Sequence, residues 1–291
     1  MKKVSLCLSI VIILSLGTAC QLEATEPKHT TTGNIETIPD LKSRQLQDTR
    51  KLWVYLPPDY EQSDKSYPVL YMHDGQNLFD KLTSFAGEWK VDETLERLFK
   101  AGKTDGVIVV GINNGGKRRN REYNPWKFET RRREYDQPLG KAHASFVVNT
   151  VKPYIDKHYR TLPGREHTGI AGSSFGGTIS LYIGLKYQDV FSKIGAFSAS
   201  LWPGETYNAG EGKIFDFVSQ VGKKQEMKIY TDMGRKEGFG GVNNHKKLHR
   251  LLRKEGFSKE ELKLVIDQDG KHNEKYWSER FPAAFLWLFE K

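Results

Sequence analysis

The sequence predicts an α/β protein with a mostly parallel central sheet and helices on both faces. Strand-like and helix-like segments alternate from about residue 44 to the C-terminus, as they do in chains built from βαβ units. Val107–Val110 is an unbroken β-branched run, typical of a strand that is buried on both faces of a parallel sheet. Because no long linker interrupts the alternation, we predict one domain over residues 43–291.

Each predicted element rests on a local pattern. Strands are short runs rich in β-branched and aromatic residues, such as Leu52–Leu56, which two prolines follow. Helices carry apolar residues at helical spacing, as at Val91, Leu95 and Leu98. The predicted strands are residues 52–56, 68–72, 107–110, 168–171, 193–197, 228–231 and 262–266. The predicted helices are residues 91–100, 145–159, 178–187, 213–221 and 242–254, and a last one with Trp277, Phe281, Ala284, Phe285 and Leu288 on its apolar face.

The N-terminal residues predict export. Lys2 and Lys3 precede a mostly apolar run, Val4–Leu16, and small residues follow up to Ala19. This is the layout of a secretory signal peptide, which we assign to residues 1–19. Residues 20–42 are rich in Thr, Glu, Lys and Pro and poor in large apolar residues, so they are predicted to form a tether.

Cys20 is the second of the two cysteines and would be the first residue of the mature chain. A lone cysteine at this place resembles a bacterial lipoprotein, in which it carries the lipid. Gly17 departs from that pattern, which has Leu three residues before the cysteine. We therefore expect a membrane-anchored lipoprotein, periplasmic or on the cell surface. A soluble periplasmic or secreted protein, cleaved after Ala19, is the alternative.

The charge is basic, at +9, and part of the excess lies in residues 117–136. Export, and the lack of zinc-finger spacing or an RNA-binding signature in the sequence, argue against a nucleic-acid partner. The basic segment is therefore interpreted either as a solvated loop or as a rim that attracts acidic substrates.

Gly172–Gly176 matches G-x-S-x-G, the motif in which a sharp turn between a strand and a helix exposes a nucleophilic serine, here Ser174. The predicted strand before it and helix after it are the context that this motif requires. Ligands bind such sheets beyond the carboxyl ends of the strands. The turn after the strand that ends at residue 171 is therefore the predicted centre of the site.

A nucleophilic serine needs a base and an acid that orients the base, and in this arrangement they follow it in the order acid, then histidine. His272 lies in a loop just after the strand 262–266. The loop after the strand 228–231 offers two acids. Glu237 is favoured because its loop is long enough to reach a histidine, and Asp232 is the alternative, since it is close enough to the strand to stabilise the turn instead.

His245 and His249 are four residues apart on a predicted helix, a spacing that could hold a metal. Basic residues surround them and no carboxylate lies between them, so both are predicted to lie on the surface. We expect no metal and no other cofactor.

Hydrolysis through a serine also needs two backbone N–H groups for the oxyanion. Phe175, the residue after the nucleophile, is predicted to supply one. The second is expected from Gly75 or Gln76, just after the strand 68–72, while His73 is taken as structural.

Four blocks of sequence are similar to the family known as putative esterases, of the α/β-hydrolase fold. The family includes esterase D, feruloyl and acetylxylan esterases, ferric-enterobactin esterases and mycobacterial mycolyltransferases. The resemblance extends from about residue 44 to the C-terminus. The four blocks are Tyr67–Phe79, Gly172–Gly177, Ser200–Trp202 and Gly270–Asn273.

The resemblance implies roles for individual residues. It makes Ser174 the nucleophile and His272 the base, and Gly234–Gly238 matches the acid site of the family, which independently favours Glu237. Some siderophore esterases of the family work with a Ser–His pair alone. Arg121 belongs to a block near the substrate cleft of the family. Independently of the resemblance, Trp89, Trp126 and Trp202 could stack on a sugar or an aromatic ring of the substrate, and each could equally belong to the core; Trp89 and Trp202 are taken as the substrate-binding candidates.

The predicted activity is hydrolysis of a carboxylic ester through an acyl-enzyme, with feruloyl or acetyl esters of polysaccharides as the expected substrates. A ferric siderophore of the enterobactin type is the alternative substrate, since such complexes are anionic and residues 117–136 are basic. A surface protein that kept the fold, lost turnover and binds acidic polymers is the alternative from another class.

Overall fold

A computed structural model describes residues 28–130, 133–204, 212–238 and 240–290. The predicted signal peptide, residues 1–19, and Cys20 lie outside these ranges. Within them, no helix has both the length and the apolar character needed to cross a bilayer.

The core of the protein is an eight-stranded sheet. The strands are β1 Asn34–Ser43, β2 Asp48–Leu56, β3 Val69–His73, β4 Ile108–Ile112, β7 Thr168–Ser173, β8 Lys193–Phe197, β9 Lys228–Gly234 and β10 Leu262–Asp267, with a separate hairpin of β5 Phe128–Glu129 and β6 Glu134–Tyr135. The strand order in the sheet is β1-β2-β4-β3-β7-β8-β9-β10. β2 pairs antiparallel with β1 and β4, and all the other neighbours are parallel, which confirms the mostly parallel sheet.

Helices cover both faces of the sheet, as predicted. Successive residues of a strand point to opposite faces, so Val69 and Tyr71 of β3 join one apolar cluster while Leu70 and Met72 join the other. The helices are α1 Val91–Lys100, α2 Arg119–Glu122, α3 Gly140–Phe146, α4 Lys152–His158, α5 Phe175–Lys186, α6 Lys213–Val221, α7 Gly241–Lys254 and α8 Glu274–Leu288. The first cluster contains side chains of α3 to α7, and the second contains those of α1 and α8.

The first strand, β1, shows that the predicted tether of residues 20–42 is too long. Residues 34–42, assigned to the tether from their composition, pair with β2 along almost the whole strand, from Asn34 opposite Leu56 to Ser43 opposite Asp48. Most β1 side chains are exposed because β1 is the edge strand, and only Ile35, Ile38 and Leu41 pack on the core. Backbone hydrogen bonds need no apolar side chains, so a polar sequence forms this strand.

Candidate active site

Ser174 lies in a sharp turn between β7 and α5. Its backbone has φ 56° and ψ −124°, a strained conformation for a residue with a Cβ. A side chain at Gly172 would lie 2.8 Å from the backbone of Gly176, so this turn excludes larger residues there. The Ser174 N–H donates to the Phe197 carbonyl at 2.9 Å, which fixes the turn against β8. The result is a serine at the carboxyl edge of the sheet, in front of the first turn of α5.

The Ser174 hydroxyl faces Ser200. The two Oγ atoms are 3.4 Å apart, and the Ser200 N–H donates to the Ser174 carbonyl at 3.1 Å. Thr178 fixes the other side of Ser200 by donating to its carbonyl at 2.7 Å. The hydrogen bonds of the described residues do not include one between Ser174 and His272.

His272 and Glu237 are in direct contact. His272 Nδ1 lies 2.7 Å from Glu237 Oε2, and the His272 side chain is 43% exposed whereas that of Glu237 is 1% exposed. An ionised carboxylate can only accept, so Nδ1 carries the proton and Nε2 of the neutral ring is left as an acceptor. Gly234 and Gly270 approach so closely that a Cβ on Gly234 would lie 2.3 Å from the Gly270 carbonyl oxygen. This approach brings the two loops together.

Both carboxylate oxygens of Glu237 have donors. Oε1 accepts from the Ser198 hydroxyl at 2.6 Å and from the Gly234 N–H at 2.7 Å, while Oε2 faces His272. Burial alone would raise the pKa of Glu237, but the hydrogen bonds from His272, Ser198 and Gly234 outweigh it and hold the pKa below its usual value. Glu237 is therefore an ionised, oriented partner for the histidine.

Asp232, the alternative acid, has different partners. It is completely buried, and its two oxygens accept from Arg280 Nε at 2.9 Å and Nη2 at 3.1 Å. Asp232 Oδ1 also accepts from the Ser198 N–H at 2.9 Å. Arg280 in turn donates to the Ser198 hydroxyl at 3.0 Å. Asp232 thus supports the residue that holds Glu237 and makes no described contact with His272, so the geometry favours Glu237.

The turn with the predicted second oxyanion donor lies against the Ser174 turn. Asp74 has φ 57°, and the residues that follow it, Gly75–Asn77, form one tight helical turn. A Cβ on Gly75 would lie 2.5 Å from the Gly111 backbone, and one on Gly176 would lie 3.3 Å from His73 Cβ. Among the described residues, neither the Gly75 nor the Gln76 N–H has a protein acceptor, so both are free to donate to a ligand.

Arg119 was missed by the sequence analysis. Its Nε and Nη2 atoms donate to the two oxygens of Asp74, each at 2.7 Å, a two-point ion pair that fixes the conformation of the oxyanion turn. Arg121, the predicted substrate-binding residue, instead donates to Gln137 through Nε at 2.7 Å and Nη2 at 3.1 Å. The described contacts of Arg121 do not include the Ser174 turn. The sequence block was informative, but the residue two places earlier approaches the site.

The two predicted substrate tryptophans differ. Trp202 is 36% exposed, and its ring centroid lies 5.7 Å from that of Phe175 and 5.9 Å from that of Phe128. Trp89 is 2% exposed and packs in the core against Phe197 and Trp277. The prediction that Trp89 contacts substrate is therefore wrong.

A cavity of about 250 Å³ lies beside Glu237, His272 and Ser200, the residue that contacts Ser174. It is lined by Ser198–Trp202, Met233, Glu237, Gly238, Gly241, Asn244, His245 and His272. A larger groove, of about 1210 Å³, lies at the opposite, amino edge of the sheet, beside Tyr67, Gly106 and Lys193. We regard the smaller cavity as the site, because it adjoins Ser200 and His272.

His245 lies in the wall of this cavity and not on the surface as predicted. It is fully buried, and its Nδ1 lies 2.8 Å from the Gly241 carbonyl oxygen. Burial lowers its pKa to about 4, so the ring is neutral. A helical stripe, His245, Leu248 and Leu252, is the sequence signal of this burial.

The fold and the site define a hydrolase of the α/β-hydrolase type. The chain belongs to the family described as "Putative esterase", which matches residues 43–288. This confirms the resemblance found in the sequence.

Individual proteins are similar to this chain in sequence or in fold. The chain is 27% identical over 259 residues to the uncharacterised protein YbbA of Bacillus subtilis (strain 168), covering 86% of this chain and 96% of that protein. A ferulic acid esterase is similar in structure, with a TM-score of 0.64 at 21% identity, covering 87% of this chain and 97% of that one. The enterobactin esterase of Shigella flexneri, solved in the presence of enterobactin, has a TM-score of 0.72 at 19% identity, covering 90% of this chain and 60% of that one.

Proposed function

We propose that this protein hydrolyses carboxylic esters through an acyl-enzyme formed on Ser174. The observation that carries the proposal is the hydrogen bond between His272 Nδ1 and the buried Glu237, at the edge of the sheet where the strained Ser174 turn lies. A nucleophile, a base and an oriented acid on one edge are the requirements of this chemistry.

The reaction proceeds in two halves. His272 Nε2 takes the proton of the Ser174 hydroxyl as Oγ attacks the ester carbonyl, and the oxyanion accepts from the Phe175 N–H and from the Gly75 or Gln76 N–H. The C–O bond to the alcohol then breaks, and His272 gives its proton to the leaving oxygen. A water molecule repeats these steps on the acyl-enzyme, releasing the acid and restoring Ser174.

The substrates we propose are feruloyl or acetyl esters of polysaccharides. The exposed Trp202 ring, beside Phe175 and Phe128, supports an aromatic or sugar group at the cavity. The structural similarity to a ferulic acid esterase agrees with this choice. An anionic siderophore ester is the second candidate, favoured by the basic residues 117–136 and by the similarity to the enterobactin esterase.

We also propose that the protein is exported and anchored by a lipid on Cys20. The support is the sequence alone, because Cys20 lies outside the described residues. The intact mass of the mature protein tests it: a lipidated N-terminal cysteine is expected, and an unmodified chain that begins at Cys20 would mean a soluble exported protein.

The activity is tested by Ser174→Ala, with the neighbouring Ser173→Ala as the matched control. Hydrolysis of p-nitrophenyl acetate should fall on the order of 10⁴-fold in kcat for Ser174→Ala and far less for Ser173→Ala. Equal rates for the wild type and Ser174→Ala would refute the mechanism. If the wild type shows no turnover on feruloyl, acetyl-sugar or enterobactin esters, the binding-protein alternative is supported.

A further inference from the structure

Three acidic side chains cluster at the N-terminus of α1, separate from the candidate active site. One carboxylate oxygen from each of Glu88, Asp92 and Glu93 lies within 4.8 Å of the other two. A fourth carboxylate is close, because the Thr30 hydroxyl donates to Glu88 Oε1 at 2.8 Å and lies 3.4 Å from Asp80 Oδ1. The cluster therefore concentrates negative charge where the N-terminal segment crosses the helix.

Asp92 is the buried member of this cluster. It has no exposed surface, and its Oδ2 accepts from the Thr32 N–H at 2.6 Å. Its other oxygen, Oδ1, is buried without a hydrogen-bond partner, and so is Glu93 Oε2. A buried carboxylate oxygen without a donor or cation is costly.

The described basic side chains nearby act on other members of the group. His29 pairs with Asp80 at 2.5 Å, and the positive charge of Lys90 acts on Glu88. Asp92 and Glu93 lie within hydrogen-bonding distance of each other, and no other described residue donates to Asp92 Oδ1 or Glu93 Oε2. Carboxylate oxygens alone, with no thiolate or imidazole, form the ligand set that hard cations prefer.

We propose that Glu88, Asp92 and Glu93 bind a Ca²⁺ ion. The oxygen spacing is one that ligands at about 2.3–2.6 Å from a shared Ca²⁺ can adopt. Because Thr30 and Thr32 hydrogen-bond to Glu88 and Asp92, the ion fastens the N-terminal segment to α1. The sequence analysis expected no metal and did not consider these acids; the fold brings Thr30 and Thr32 next to two of them.

The test is thermal unfolding of the purified protein after removal of metals with EDTA. We expect Ca²⁺ at about 1 mM to raise Tm by roughly 5 °C if it is well above its Kd, and calorimetry to show one bound ion. Sodium chloride at equal ionic strength should not reproduce the shift. No shift and no binding heat would overturn the site and would mean that a shared proton satisfies Asp92 and Glu93.

Two variants separate the site from general charge effects. Asp92→Asn and Glu93→Gln should each abolish most of the Ca²⁺-dependent rise in Tm. Glu96→Gln, on the same helix but outside the cluster, should keep it, because glutamine can still accept from the Tyr55 hydroxyl. An equal Ca²⁺ shift in Asp92→Asn, in Glu93→Gln and in the wild type would overturn the proposal, with circular dichroism verifying that each variant is folded.

Discussion

The two sides of Ser174 are built differently. On the side of the acid, Glu237, Asp232 and Arg280 are almost fully buried, and each carboxylate oxygen of the two acids has a donor. On the substrate side, Trp202 presents an exposed ring at the cavity. Removing one partner of a buried charge pair strongly destabilises a protein, whereas replacing an exposed side chain changes its stability little. The comparison therefore separates residues that determine rate and stability from residues that select the substrate.

The largest effect on the acid side is expected for Glu237→Gln. The amide of glutamine can donate to His272 Nδ1 and so favour the wrong tautomer. We expect kcat to fall about 10³- to 10⁴-fold with little change in Tm, measured by ester hydrolysis and thermal unfolding. A larger loss of kcat in Asp232→Asn would show that the acid is assigned to the wrong residue, and no loss in either variant would indicate a Ser–His pair.

Asp232→Asn should instead act mainly on stability. It weakens a buried ion pair with Arg280, and removing one charge of such a pair costs about 3 kcal/mol or more. Urea unfolding should show this loss as a lower midpoint. The matched control is Asp269→Asn, which removes an ion pair with Lys236 in which both side chains are more than half exposed and should change the urea midpoint far less, because exposed ion pairs contribute little to stability. Equal effects of the two substitutions would contradict the contrast.

Trp202→Ala should change substrate preference and leave the chemistry intact. We expect KM for methyl ferulate to rise about tenfold, as the loss of one aromatic contact predicts, while kcat/KM for p-nitrophenyl acetate changes little. Phe85→Ala, which removes an aromatic side chain that is 63% exposed, is the control and should leave both substrates unaffected. An equal loss of kcat/KM for p-nitrophenyl acetate would contradict this, because it would show that Trp202 contributes to the chemistry and not only to substrate preference.

The smallest effect is expected at Glu274, which links the loop of His272 to the oxyanion turn by accepting from Asn77 Nδ2 at 3.0 Å. Burial, together with the charge of Asp74, raises the pKa of Glu274 to about 7. Because the folded-state pKa exceeds the unfolded one, the contribution of Glu274 to stability is fully present below about pH 4.5 and is lost as the pH rises to about 7. Glu274→Gln should remove this contribution, seen as a smaller difference in unfolding free energy between pH 5 and pH 8. Identical pH profiles would contradict it.

Periodicity and chain order predicted much of this molecule. The parallel sheet could be predicted because buried strands such as β4 have a distinctive composition. The position of Ser174, His272 and Glu237 at one edge of the sheet could be predicted because each follows a strand. Other features depend on contacts that composition does not encode. A tryptophan can be a core residue or a substrate contact, so the burial of Trp89 could not be predicted from composition.

The edge strand β1 was another feature that the sequence analysis did not predict. β1 is polar because only one of its faces and one of its edges meet the protein, so composition alone resembles a tether. The burial of His245 could have been predicted from its helical spacing with Leu248 and Leu252. The flanking basic residues led to the surface prediction instead. Arg119 lies two residues before the block that contains Arg121, and only the path of the chain decides which guanidinium reaches Asp74.

The early start of the folded domain limits how far it can work from a membrane. The predicted tether of residues 20–42 would extend to about 77 Å at roughly 3.5 Å per residue. Since described hydrogen bonds to the domain begin at His29, the stretch from residue 20 to residue 28 spans at most about 28 Å. If Cys20 is lipidated as proposed, the domain begins within about 28 Å of the membrane, and a polymeric substrate must come to the surface of the membrane to be cleaved.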